Sequence, residues 1–291
     1  MQYGVVFPQT EIGTNAQTVR HYAKTAEELG YDYLLAFDHV VGANPANPGP
    51  WQNGPYDYTT MFHEPLVLFG HLAAITERIA FATGILILPQ RQTALVAKQA
   101  AEVDVLSGGR LRIGVGVGWN PAEYEALGKD FHTRGRRQAE QVEVLRKLWT
   151  QRLVEVEGEF HHLPDVGIHP LPVQQPIPIW FGGGADVVLH RMAELGDGWM
   201  PNAQSLDALE RNLARLRGYI REAGRDPEDF GVDFRIDAHR WDEPIWPETL
   251  TRLEAMGVTH VCINTMGLEY VPEQHIEAIA RFKSVVRSVT S

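Results

Sequence analysis

One cysteine among 291 residues removes two common kinds of scaffold. Cys262 has no partner for an intrachain disulfide and cannot build a thiolate metal cluster. Positive charge is also short. The 26 basic residues stand against 37 acidic ones, and a net charge of −11 argues against a nucleic-acid footprint while leaving room for a local basic pocket. No apolar run reaches the roughly 18 residues of a membrane span. The run that opens at Tyr3 soon reaches Glu11 and has neither the positive start nor the long apolar core of a signal peptide. These absences set the expectation of a soluble protein in a reducing cytoplasm, with no membrane or nucleic-acid partner. HExxH is missing, and His161, His162 and His169 form no ordered constellation with carboxylates, so no metal site is expected. Glu64, Asp197, Asp237 and Asp242 could be assembled into a glycosidase pair, but sequence does not give their separations, and the Gly-rich strand ends argue for a large flat ligand rather than paired carboxylates alone.

What is present is alternation. Short apolar runs at Tyr3–Phe7, Tyr33–Phe37, Ile79–Leu88, Leu111–Val117, Ile177–Phe181, Gly198–Met200, Gly231–Ile236 and Val258–Ile263 read as strands. Amphipathic stretches separate them. Val19, Tyr22, Ala23, Ala26 and Leu29 recur at helical spacing behind Asn15, a ready N-cap. Ala139, Val142, Leu145 and Leu148 form another stripe, as do Leu206, Leu209, Leu213, Leu216 and Ile220 behind Ser205. A turn-rich segment runs from Gly42 to Thr60, and Gln151–Gln175 reads as an excursion with a short extended pair. Eight βα units without a composition break predict a single (β/α)8 TIM barrel over 1–291, with insertion loops at the C-terminal mouth; size alone also allows two smaller domains.

A barrel of this kind places its ligands at the C-terminal ends of its strands. Asp38 and His39 close the second strand; an imidazole there can exchange a proton near neutral pH, or both residues simply satisfy a polar turn. Gly84 interrupts an apolar strand and licenses a bulge. Gly114, Gly116 and Gly118 share one strand face, where they either leave room for a flat ligand or relieve barrel packing. The spacing is not GxGxxG, because Trp119 stands at the sixth position. Gly182, Gly183 and Gly184 open a helix, where backbone N–H groups can meet a phosphate or merely turn the chain. Trp51, Tyr56 and Tyr58 offer aromatic surface in the long loop. Trp241 and Trp246 offer a second one near the seventh strand.

The segments LGYDYLLAFDHV, ITERIAFATGILILP, KQAAEVDVLSGGRLRIGVGVGWNPAEYEALG, RRQAEQVEVLRKLW and PIPIWFGGG resemble the luciferase-like flavin and deazaflavin oxidoreductases, especially the coenzyme F420-dependent branch. They cover most of the first 200 residues in the family's usual order. The resemblance implies that a deazaflavin ring lies over the barrel mouth, flanked by Asp38 and His39. It implies that Thr83, Gly84 and Ile85 form a backing bulge, commonly with a non-proline cis peptide. Gly118 and Asn120 would then lie near the polar ring or ribityl chain, and Gly182, Gly183 and Gly184 near the phosphate. The catalytic expectation falls on His39, and the substrate-pocket expectation on Trp51, Tyr56, Trp119 and Trp241. A homodimer is implied as well. A sugar-phosphate dehydrogenase of the broader family has a glutamate where Trp119 stands here, which argues against sugar-phosphate oxidation. Glu123, further along, is a candidate substitute for that glutamate, more simply read as a solvated acid near a helix start. The implied reaction is hydride transfer between coenzyme F420 and a small organic substrate, apolar or aromatic. An FMN-dependent monooxygenase using oxygen and a cofactor-binding barrel without turnover are the alternatives.

Overall fold

The computed structural model describes residues 1–47, 49 and 54–290. Strands β1 (Gln2–Val6), β2 (Tyr33–Ala36), β3 (Ala80–Thr83), β4 (Leu86–Ile87) and β5 (Leu111–Gly116) alternate with helices α1 (Ala16–Glu28), α2 (Pro65–Ala73) and α3 (Thr93–Ser107). Helices α4 (Pro121–Ala126) and α5 (Arg134–Thr150) follow, then the hairpin strands β6 (Val154–Glu157) and β7 (His162–Val166). The second half runs β8 (Ile179–Gly182), α6 (Asp186–Leu195), β9 (Gly198–Met200), α7 (Leu206–Glu222), β10 (Gly231–Asp237), α8 (Trp246–Ala255), β11 (His260–Asn264) and α9 (Pro272–Thr290).

Eight parallel strands close on themselves in the order β1-β2-β3-β5-β8-β9-β10-β11, with β11 pairing back to β1. The register is continuous around the ring, with Val5 beside Leu34, Leu34 beside Phe81, and Val261 beside Phe234. Parallel strands buried on both faces need apolar residues throughout, and Val5, Leu34, Phe81, Ile113, Phe181 and Val261 are fully buried. The predicted (β/α)8 barrel is therefore the fold found. The excursion after α5 holds the expected extended pair, the antiparallel β6–β7.

Capping follows the sequence. The Asn15 side chain accepts from the Gln17 and Thr18 amides, and Ser205 accepts from Ala208. Inside the barrel the packing is not purely apolar. Arg112 lies between the Tyr33 and Trp180 rings and pairs with Asp233 at 2.7 Å, while Tyr33 donates to the same carboxylate at 2.6 Å. This buried pair closes the barrel floor beneath the mouth. No helix among the described residues is long and apolar enough to cross a membrane.

Candidate active site at the barrel mouth

A cavity of about 900 Å³ opens at the C-terminal ends of the strands. That is within the range of roughly 300–1,000 Å³ common to small-molecule and cofactor sites. Asp38, His39, Tyr56, Gly84, Ile85, Gly118, Trp119, Gly182 and Gly183 all line it. The topology thus brings together residues from four separate strand ends. Thr83 sits just below, fully buried, its hydroxyl donating to the Gly114 carbonyl at 2.7 Å.

The break between β3 and β4 shapes the back wall. The Gly84–Ile85 peptide is cis, and Ile85 reaches over the glycines of neighbouring strands. A Cβ on Gly182 would sit 2.8 Å from Ile85, a Cβ on Gly116 would overlap it, and a Cβ on Gly84 would overlap Leu35. Gly118 has φ +66°, and a Cβ there would meet Ile87 at 2.8 Å. These glycines let an isoleucine lie across the mouth, which leaves a flat apolar backing rather than a row of side chains.

Asp38 and His39 diverge, as neighbours at a strand end should. Asp38 is buried. It accepts from the Ile87 amide at 2.9 Å and from Arg91, which also reaches Glu64 at 2.9 Å. Burial pushes its carboxyl up from the usual range, and the Arg91 guanidinium opposes that shift. Asp38 therefore fixes β4 and the bulge to the end of β2.

His39 turns the other way. Its Nδ1 lies 3.4 Å from Glu123 Oε2, and its ring packs against Tyr56, Phe62 and Trp119 with centroids at 4.8, 4.8 and 6.4 Å. Glu123 is not the solvated acid that its place near a helix start suggested. It is fully buried, with Oε1 accepting from the Val40 amide at 2.6 Å and Oε2 from the Gln90 side chain at 3.1 Å. Burial alone would raise its carboxyl, but His39, the Val40 amide and Gln90 outweigh it and hold the group below its usual value. An ionised Glu123 opposite Nδ1 leaves Nε2 as the imidazole nitrogen free for other work.

Other expected positions separate from the cavity. Asn120 is buried and its side-chain oxygen caps α4 by accepting from Ala122 at 3.1 Å. Gly184 does not belong to the cavity wall, although Gly182 and Gly183 do. Trp241 packs edge-on against Phe234, its carbonyl accepting from Trp246, and Trp246 is buried. The expected second aromatic wall is thus core packing, because the loop after β10 turns these rings inward. Trp51 lies outside the described residues.

In place of Trp241, the wall beyond β10 is polar. Arg235 pairs with Asp237 at 2.7 Å and lies 5.4 Å over the Phe37 ring, while Asn264 donates to Asp237 at 2.8 Å. The cavity therefore has an aromatic side around His39 and a hydrogen-bonding side around Arg235.

The profile of the luciferase-like monooxygenases matches residues 1–239. The chain belongs to the luciferase-like monooxygenase family. An uncharacterised protein of Mycobacterium tuberculosis is 37% identical over 269 residues, which is 87% of this chain and 88% of that protein. Among solved structures, an F420-dependent secondary alcohol dehydrogenase in complex with an F420-acetone adduct superposes with a TM-score of 0.80 at 19% identity, covering 99% of this chain and 98% of the other. Monooxygenase RslO1 from Streptomyces bottropensis also reaches 0.80 at 19% identity, covering 100% of both chains. At such identity the likeness speaks for the fold. Membership in the luciferase-like family supports an oxidoreductase-type activity.

Two partnerships are not signalled by the sequence. Glu123 stands in GWNPAEYEALG, where a helix start and an acid look like ordinary capping. Arg91 follows PQ after the interrupted strand, and nothing in its neighbourhood signals that it locks Asp38. Both act through contacts made across long sequence separations, 83 residues for Val40 with Glu123 and 53 for Asp38 with Arg91.

Proposed function

We propose that this chain is an oxidoreductase that transfers a hydride between the deazaflavin coenzyme F420 and a small organic substrate, with His39 as the proton-handling group. The observation that carries this reading is the His39–Glu123 pair at the edge of a glycine-floored cavity. The fit of a planar cofactor is supported by the Ile85 backing over Gly116 and Gly182, where any side chain larger than hydrogen would collide with the wall.

Bound against that wall, the ring would supply the hydride chemistry. The protein supplies orientation and charge. His39 Nε2 donates a proton to, or accepts one from, the substrate oxygen, and Glu123 holds the imidazole from its Nδ1 side. Tyr56, Phe62 and Trp119 exclude water around that proton and prefer an apolar or aromatic portion of the substrate. The Arg235–Asp237–Asn264 side offers hydrogen bonds to a polar end.

A second reading is an FMN-dependent monooxygenase, which the family profile and the equal TM-score of RslO1 favour. Titration of the purified protein with oxidised F420 and with FMN separates the two. Binding of F420 and its reduction by an alcohol substrate supports the first. Tight FMN binding with negligible F420 binding overturns it in favour of the second.

A further inference from the structure

The aromatic and hydrogen-bonding sides of the cavity meet at one residue. Tyr56 packs its ring edge-on against His39 and Phe62, with centroids at 4.8 and 4.7 Å. Its hydroxyl answers to the other side. Burial raises the phenol pKa, Arg235 lowers it and Asp237 raises it, with a net rise that keeps the O–H protonated at neutral pH. Among the described residues this donor has no hydrogen-bond partner, and Tyr56 lines the cavity only partly buried. The chain around it is fixed. The Asp57 side chain accepts from the Thr59 amide at 2.8 Å, and the Tyr58 amide donates to the Ala43 carbonyl at 3.2 Å. A Cβ on Gly42 would overlap Asp57, and one on Gly54 would overlap Trp119.

Arg235 also has a donor to spare. Its Nε donates to Asp237 Oδ1 at 2.7 Å, and its Nη2 reaches Asp237 Oδ2 at 3.3 Å and the Asn202 oxygen at 3.5 Å. Nη1 has no partner among the described residues, and Arg235 too lines the cavity only partly buried. The acceptors beside it are taken. Asp237 Oδ1 accepts from Asn264 as well, and the Asn264 oxygen accepts from the Met266 amide at 3.1 Å. Asp233, another cavity residue, accepts from Tyr33 and Arg112 and is 2% exposed. A phenol O–H and a guanidinium N–H are thus left over where the neighbouring carboxylates are already engaged. Such a place is built to receive an acceptor.

Charge decides which acceptor fits. Arg235 is offset by Asp237, and Arg112 by Asp233. Arg240, the other arginine on the cavity wall, is exposed and turned aside, its Nε and Nη1 donating to His239 and Gln204 at 3.0 and 2.8 Å. A carboxylate brought to Arg235 would lose its hydration and meet a cation already neutralised by an acid in contact with it. An uncharged oxygen makes the same two hydrogen bonds without that desolvation cost. The surroundings agree: Leu35, Phe37 and Met266 line the same cavity, with the Phe37 ring 5.4 Å from the Arg235 guanidinium.

We propose that Tyr56 and Arg235 form a specificity subsite for an uncharged carbonyl-type oxygen (ketone, ester or amide) at the end of the substrate away from its reacting group. The substrate is then an apolar molecule with two oxygens, one handled by His39 and one held here. This deepens the hydride-transfer reading and rests on it for the reacting end alone. Three ketones that share an acetyl group and differ only across the ring test it: methyl para-acetylbenzoate, para-acetylbenzoate and para-ethylacetophenone. Calorimetry measures their binding to wild type, Tyr56→Phe and Arg235→Lys, each checked for folding by circular dichroism. The protein is saturated with F420 or FMN, whichever it binds, and is used cofactor-free if it binds neither. Wild type is expected to bind the ester about fivefold or more tighter than either other ketone, the factor that a hydrogen bond of this kind supplies. Tyr56→Phe is expected to reduce that preference to about twofold or less and to leave the affinity for para-ethylacetophenone within about twofold of wild type. Arg235→Lys keeps the charge opposite Asp237 but loses the arm of the fork that carries Nη1, so the preference should fall there too. An ester bound no tighter than para-ethylacetophenone, a carboxylate bound tightest, or no binding of any of the three overturns the subsite. So does an unchanged preference in folded Tyr56→Phe, or in Arg235→Lys should Tyr56→Phe not fold. Tight FMN binding with negligible F420 binding removes the hydride reading and leaves an intact ester preference standing; F420 binding without the preference removes the subsite alone.

Discussion

His39 Nδ1 and Glu123 Oε2 lie 3.4 Å apart across 84 positions of sequence, with the carboxylate fully buried and the imidazole at the cavity edge. The arrangement orients one ring nitrogen from behind and presents the other. Under the proposed function, the presented nitrogen is the one that exchanges the proton with the substrate.

Replacing His39 with alanine should leave much of the cofactor affinity and slow the ring redox change in the ternary complex. A general acid or base contributes roughly 10²–10⁴-fold. Stopped-flow absorbance under single turnover reads that step apart from product release. Wild-type rates across pH 5 to 8 would make His39 a wall of the pocket and nothing more.

Glu123 has a pH signature of its own. Its folded-state carboxyl is depressed below the ordinary value of 4.5, so its contribution to stability is present above that value and is lost as pH falls through the folded one. Glu123→Gln should therefore cost about 1–3 kcal/mol at pH 7, since buried donors lose their charged acceptor. The gap between wild type and variant should narrow as the pH is lowered from 5 toward 3. Thermal unfolding at a series of pH values measures this directly. A gap that stays constant would show that Glu123 is not ionised in the folded protein.

How much of this was legible follows from the range of each interaction. Strands and helices announce themselves through periodicity and caps, which is why Asn15, Ser205 and the eight βα units were readable. Gly84, Gly116, Gly118 and Gly182 were readable as places needing room, because glycine in an apolar strand costs stability unless something occupies the space. The isoleucine that occupies it was implied by resemblance, not by spacing. Glu123 and Trp241 were misread for opposite reasons. An acid beside a helix start looks solvated until a distant loop covers it, and a tryptophan in a loop looks available until its backbone turn points it at Phe234.

Gly183 gives a test of the glycine turn that does not depend on turnover. Its φ of +112° is one that L side chains rarely adopt, and a Cβ would stand 3.3 Å from Val188. Gly183→Val should lower stability by roughly 1–3 kcal/mol through backbone strain. Cofactor affinity should fall as well, because the turn lines the cavity. Equilibrium titration of the folded variant at a temperature well below its melting point separates the two effects. Unchanged affinity would remove this turn from the cofactor site.

The Asp38–Arg91 pair predicts an asymmetry. Asp38 is buried and accepts from Arg91 at 2.6 Å, while Arg91 keeps a second partner in Glu64. Removing the cation strands a buried carboxylate, so Arg91→Met should destabilise the fold by about 3–5 kcal/mol at neutral pH. Asp38→Asn should cost less, because Arg91 retains Glu64 and the amide can still accept from Ile87. Burial already raises the Asp38 carboxyl, and losing Arg91 removes what opposes that shift. A group with a raised folded-state pKa binds its proton more readily folded than unfolded, so its cost grows as pH rises and is relieved as pH falls. The Arg91→Met penalty should accordingly be smaller at pH 5 than at pH 8, whereas that of Asp38→Asn relative to wild type should show no such relief. Urea unfolding at both pH values reads the difference, and equal penalties for Arg91→Met at pH 5 and pH 8 would mean that Asp38 does not depend on Arg91 for its charge.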